Sequence, residues 1–240
     1  MRKTIILSLL LLVFSLVVDA QRKRPTATSA VYTATVVDET LSVLREEPSL
    51  YAEAIQRMRR GRKVRILGVK EADGVRFFRV QATPPAAGWV QADAVFSDKR
   101  AEDEERLAKL VQASSGFEQI ETADQFFQLY PKSKFRPPIL LLYGDIIEIA
   151  AARLSRDATS RLDRREMAAS GAPLHSYYLN FNMLDRYRRL GIIFLFNSAT
   201  KQFHYDGASW KEIVAKFPTS AEAVEAQNRL NALKEKLEKK

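Results

Sequence analysis

Apolar and polar positions divide the chain in two. From Val31 to about Ser97 they alternate over short runs, the period-two signature of half-buried strands. Val31 to Val37, Leu41 to Leu44, Val64 to Val69, Val75 to Gln81 and Trp89 to Val90 read as five strands. Turn chemistry separates them: Glu46-Glu47-Pro48-Ser49, Gly61, Asp73-Gly74, and Pro84-Pro85 with Gly88. Short strands so closely spaced are most cheaply closed as a small barrel, which hides the edges of an open sheet. Phe77 and Phe78 point to opposite faces, so at most one enters the interior.

From Ala101 the period lengthens to about 3.6, the spacing of amphipathic helices. Leu107, Leu110 and Val111 form one stripe, and Phe126, Phe127, Leu129 and Tyr130 end a second helix at Pro131. A third helix starts at Pro137-Pro138 and aligns Ile139, Leu142, Tyr143, Ile146, Ile149 and Ala150. The last carries Ala223, Ala226, Leu230, Leu233 and Leu237, with Thr219 and Glu222 spaced as a capping box. Arg156 to Ser176 reads as a helix end and a loop, broken at Ser170-Gly171-Ala172-Pro173, and Tyr177 to Leu190 as a helix. Ile192 to Tyr205 fits either a helix or a hairpin. Ala123 to Ser133 (ADQFFQLYPKS) aligns with Trp210 to Ser220 (WKEIVAKFPTS), pairing Tyr130 with Phe217, Pro131 with Pro218 and Ser133 with Ser220. In each copy Pro stops one helix and a hydroxyl residue is placed to cap the next.

Two stretches carry a family resemblance. LSVLREEPSLYAEAIQRMRRGRKVRIL, with VRFFRV and GWVQADAVF, resembles the bacterial Src-homology-3-like (SH3b) domain. Leu41, Val43, Arg45, Pro48, Ser49, Ile55, Met58, Gly61, Val64, Ile66, Gly88, Trp89 and Val90 carry the match; Leu44 is an extra residue, and Glu47 stands where a turn Gly is usual. The two helix-Tyr/Phe-Pro-x-Ser segments, with Gly144 at a small-residue packing position, resemble tetratricopeptide-type repeats, although the usual 34-residue period is missing. The resemblances imply an α+β chain: an SH3-like β-barrel over 31–98, then an all-α array of helical hairpins over 101–240. For the barrel they imply an envelope ligand, cell-wall peptide or anionic polymer, with Tyr51, Phe78 and Trp89 as groove aromatics. The competing reading places all three in the core.

Arg2 and Lys3 precede an apolar run from Ile5 to Val18 that ends at Asp19-Ala20, the form of a signal peptide cleaved after Ala20. The run is 14 residues long and covers ~21 Å as a helix, short of the ~30 Å hydrocarbon core, so no stable span is expected after cleavage. Residues 1–20 are then a signal, 21–30 a basic linker, and the mature chain periplasmic or extracellular.

Of the 240 residues 46% are hydrophobic and 28% charged, enough to bury a core. The absence of Cys excludes disulfides, thiol nucleophiles, thiolate metal sites and N-terminal Cys lipidation. Gly-x-Ser-x-Gly and phosphate-binding Gly motifs are missing. His175 and His204 are the only histidines, without the spacing of a metal pair. Asp145 and Glu148 read as a solvated pair of surface acids. The net charge is +9, and the +8 that remains without residues 1–20 divides evenly: thirteen cations against nine acids between residue 21 and Lys99, twenty-three against nineteen from Lys99 on. The densest group is Arg57, Arg59, Arg60, Arg62, Lys63 and Arg65 around Gly61, able to meet phosphates or carboxylates.

The expectation is a non-catalytic exported adaptor without cofactor or metal. Its ligand contacts are Tyr51, Arg59, Arg60, Arg62, Phe78 and Trp89, and its helices bind a protein or peptide; export disfavours nucleic acid. The alternatives are a metal-dependent envelope hydrolase using His175 or His204, and a structural assembly factor.

Overall fold

The computed structural model describes residues 31–83 and 85–239; the expected signal peptide, linker and cleavage point lie outside them, as does Pro84. The protein is mixed α+β, an antiparallel sheet followed by helices. Seven strands form the sheet: β1 (Tyr32–Val36), β2 (Val43–Arg45), β3 (Ala54–Arg57), β4 (Lys63–Ala72), β5 (Val75–Ala82), β6 (Ala86–Gln91) and β7 (Val95–Phe96). All five expected strands are present, in the order β3-β2-β6-β5-β4-β1-β7. The two extra strands, β3 and β7, are the two edges, and no ladder joins them, so the expected barrel closure is absent from the hydrogen bonding. Both are short, and neither carries an apolar alternation to announce it. Asp73 and Gly74 both adopt positive φ, as a two-residue hairpin between β4 and β5 requires. Gly88 lies in β6 rather than in a loop: a Cβ there would stand 2.5 Å from the carbonyl oxygen of Arg45.

Inward residues of the sheet, among them Val36, Leu44, Val64, Ile66, Phe78, Val80 and Val90, meet in one cluster with Met58. Burying each such side chain contributes roughly 1.5–3 kcal/mol.

The helices are α1 (Ala101–Ala113), α2 (Gly116–Leu129), α3 (Arg136–Arg161), α4 (Arg164–Ser170), α5 (Leu174–Leu179), α6 (Asp185–Arg188), α7 (Ala208–Lys216) and α8 (Glu222–Glu238). Between α6 and α7 lies a hairpin, β8 (Phe194–Asn197) paired with β9 (Gln202–Tyr205), so this half is not all-α as expected. The hairpin resolves the open reading of Ile192 to Tyr205. Its aromatic residues explain its place: Phe196 stacks on Tyr178 at 4.5 Å, and Phe203 contacts Phe194, Phe196 and Tyr178. Arg164 to Ser170 is helical, begun by Asp163, whose side chain accepts from the amides of Arg165 and Glu166. The helix expected from Tyr177 to Leu190 is broken into α5, a 3₁₀ turn at Asn182–Leu184, and α6.

In α3 the buried stripe is Ile139, Leu140, Tyr143, Gly144, Ile147, Ala151 and Leu154, one step round from the expected one. Ile149, expected to be inside, is 70% exposed. The run ILLLYGDIIEIAA supports several overlapping stripes, and contacts with α2, α7, α8 and β9 select among them. Gly144 is the close-approach point with α7: a Cβ there would lie 2.3 Å from Trp210 Nε1 and 2.6 Å from Ser209 Oγ.

The two Pro-containing turns match. The amide of Tyr130 donates to the carbonyl of Phe126 and that of Ser133 to Tyr130; at the second turn Phe217 donates to Ile213 and Ser220 to Phe217, all at 2.8–3.1 Å. Neither following helix has the expected hydroxyl cap. Ser133 Oγ accepts from the amide of Phe135 ahead of α3, and no side chain caps the N-terminus of α8, so the Thr219–Glu222 capping box does not form.

Sheet and helices are joined by polar bonds around a shared core. Val37 and Phe96 belong to the helical cluster. Asp103, fully buried, pairs with Arg100 and Arg106 and accepts from the amide of Ser97, while Tyr130 Oη donates to the carbonyl of Ser97 at 3.0 Å. Arg100 and Arg106 both donate to the carbonyl of Val95, which covers the β7 edge that barrel closure would have hidden.

Candidate functional site

The six expected contact residues do not converge. Phe78 is 6% exposed within the sheet core, with the Arg100 guanidinium 5.0 Å above its ring, so it is not a groove aromatic. Arg60 is structural as well. Its guanidinium donates at 2.9 Å to Glu118 and to Glu121 of α2 and its Nε to the carbonyl of Val37, which leaves 9% of the side chain exposed. Glu121 is half-buried there, and burial pushes its carboxyl up despite the adjacent Arg60 charge. The basic turn thus docks the sheet on α2; Arg59 is exposed and Arg62 half-buried. Tyr51 is 89% exposed, on a loop tied to the β4–β5 hairpin by Ser49 Oγ and the amide of Leu50, both donating to Asp73 Oδ2. Trp89 is half-buried on β6. The four cavities described, of 190–440 Å³, include neither Arg59 nor Trp89 in their linings.

Trp89 does belong to another arrangement. In the β2–β6–β5 ladder Arg45 stands opposite Trp89, and Trp89 opposite Arg79. Directly opposed residues share a face, so Trp89 stands in one row with Arg45 and Arg79 on the outward side of the sheet; Arg45 Nη1 donates to the carbonyl of Ala52 at 2.6 Å, while Arg79 is exposed. The same face continues through Gly68 of β4, opposite Arg79, to Arg65 and Lys70. Sequence reasoning weighted the cluster around Gly61 because it is dense along the chain. The outward face is assembled from four strands, and its only local signal is the alternation Lys63-x-Arg65.

A second polar cluster lies between α3, β9 and α8. Asp145 and Glu148, expected to be solvated, are both engaged. Asp145 accepts from Arg229 Nε and Nη2 at 2.9 and 3.3 Å. Glu148 faces His204 Nδ1 at 3.0 Å and accepts from Lys236 Nζ and the amide of Tyr205, both at 2.8 Å. Burial by itself would raise the Glu148 pKa, but these bonds outweigh it and hold the carboxyl at about 2. A carboxylate so fully engaged is a structural acceptor and not a free base. His204 is 4% exposed, with Nε2 unpaired, whereas His175 lies exposed on α5. Among the described residues no group of three or more His, Asp or Glu is placed to hold a metal ion, and no helix is long and apolar enough to cross a membrane. A cavity of about 370 Å³ lined by Asp145, Glu148, Ile149, Trp210, Arg229 and Lys236 opens beside this cluster.

The chain matches no family model, no curated protein sequence and no solved structure.

Proposed function

We propose that the chain is an exported, non-catalytic adaptor, with an SH3-like sheet that binds an envelope ligand and a tetratricopeptide-like helical half that binds a protein or peptide. The outward face of the sheet carries the ligand, with Trp89 between Arg45 and Arg79 at its centre and Tyr51 at its margin. The observation that carries this reading is the Arg45–Trp89–Arg79 row, an aromatic ring and two cations joined across three strands on the solvent side of the sheet. An indole sharing a face with two arginines suits ligands with anionic or hydrogen-bonding groups around a flat surface. The SH3-like and repeat-like readings draw support from the five expected strands and from the matched turns after Tyr130 and Phe217. Export draws support from the N-terminal run of Ile5 to Val18 alone.

Co-sedimentation of the mature chain with purified envelope polymer tests the reading. The wild type pellets, and Trp89→Ala, checked for an unchanged circular-dichroism melt, loses at least tenfold in affinity. A chain that stays in the supernatant, or that hydrolyses the polymer, contradicts it.

A further inference from the structure

The outward face carries a line of cations along β4. Lys63 and Arg65 stand opposite Thr35 and Thr33 of β1, and Arg65, Gly68 and Lys70 stand opposite Gln81, Arg79 and Phe77 of β5, so all share one face. Arg79 fills the gap in the line because its partner is Gly68: a Cβ on Gly68 would meet Arg79 Cβ at 3.9 Å and nothing nearer. Alternate residues of a strand lie ~7 Å apart, so Lys63, Arg65, Arg79 and Lys70 form a row with roughly that spacing. All four are exposed, and among the described residues none enters an ion pair or a side-chain hydrogen bond. The neighbours on this face, exposed Thr33 and Gln81, half-buried Trp89 and Gln91, and buried Thr35 and Phe77, include no acid.

Cations on a sheet often protect an edge from pairing. That explanation fails here, because β4 is internal, bonded to β1 on one side and β5 on the other. Four like charges in line repel one another, and a complementary polyanion relieves that repulsion.

We propose that this row binds a linear phosphodiester polymer through its backbone, one phosphate to each of Lys63, Arg65, Arg79 and Lys70. The proposal rests on the adaptor reading and names its ligand class. Lys and Arg at regular intervals suit phosphate oxygens. The flanking positions of β1 and β5 on this face are Thr33, Thr35, Gln81 and Phe77, and since Phe77 is fully buried they present no exposed apolar group to enter a bilayer. Of the aromatics on this face Phe77 is fully buried and Tyr51 lies at the margin, which leaves Trp89 as the stacking platform beside the row, where single-stranded nucleic acid uses several.

Titration of the mature chain with poly(glycerol phosphate) and with long-chain polyphosphate, at 50 and 200 mM salt, tests it. Both bind, with a log–log salt slope of about −3 for four neutralised phosphates, and Arg65→Glu/Lys70→Glu weakens binding at least tenfold and flattens the slope by about half. Arg65→Gln/Lys70→Gln gives an intermediate loss with an unchanged melt. No binding at 50 mM salt overturns the proposal, as does equal binding by the variants. Tighter binding to poly(dT) or to phosphatidylglycerol vesicles overturns it in favour of nucleic acid or a membrane. If Arg65→Glu/Lys70→Glu still pellets with whole envelope polymer while Trp89→Ala does not, the phosphate row is refuted and the adaptor reading stands.

Discussion

Individual residues hold the helical half through two tight arrangements. The first is the contact of Gly144 with Trp210 and Ser209, where a methyl group has no room. Gly144→Ala is therefore expected to cost about 1–3 kcal/mol through overpacking, despite the higher helix propensity of Ala, as read by urea denaturation. The second is Glu148. Its carboxyl titrates near 4.5 when unfolded and near 2 in the fold. Because the folded state favours the charged form, the stabilisation is complete above about pH 4.5 and is lost as the pH falls from there through about 2. Glu148→Gln should flatten the loss of stability in that window, and an unchanged acid limb would show that the His204 and Lys236 bonds add nothing.

At the scale of elements, the β8–β9 hairpin does more than fill space. Asn197 Nδ2 donates to the carbonyls of Lys236 and Lys239, while its Oδ1 accepts from the amides of Ala199 and Thr200, so one side chain closes the hairpin turn and caps the end of α8. Asn197→Ala should cost about 1–3 kcal/mol and speed hydrogen exchange in the last turn of α8, with α1 unaffected. This element shows where sequence reading stops. Strands with alternation and a turn signal, such as β4, Asp73-Gly74 and β5, were legible because burial and local chemistry agreed. β3 and β7 exist through their partners, Val43–Arg45 and Thr35–Val36, and leave no pattern of their own. The α8 stripe was legible because one face is buried, whereas α3 is apolar on several sides and only its neighbours choose the inner one. The outward row of Arg45, Trp89 and Arg79 comes from three separate strands, which hid it in the sequence although each strand was expected.

The whole molecule is a sheet and a helical layer that share core residues, and the segment Ser97 to Arg100 that joins them is locked by Asp103 and Tyr130. Arg60 ties the far side of the junction to Glu118 and Glu121. Arg60→Ala should lower stability by about 1.5–3 kcal/mol and leave ligand binding intact, which separates this cation from those of the outward face. The central claim is that recognition occurs on that face. It is tested most directly through the two tryptophans, which give two indole N–H signals in a ¹H–¹⁵N correlation spectrum: Trp89 on the sheet, and Trp210, 2% exposed, between α3 and α8. On titration with envelope polymer, the account predicts that the Trp89 signal and the amides of Arg65 and Arg79 shift while Trp210 stays fixed; shifts confined to Trp210 and the α3–α8 cluster would contradict it.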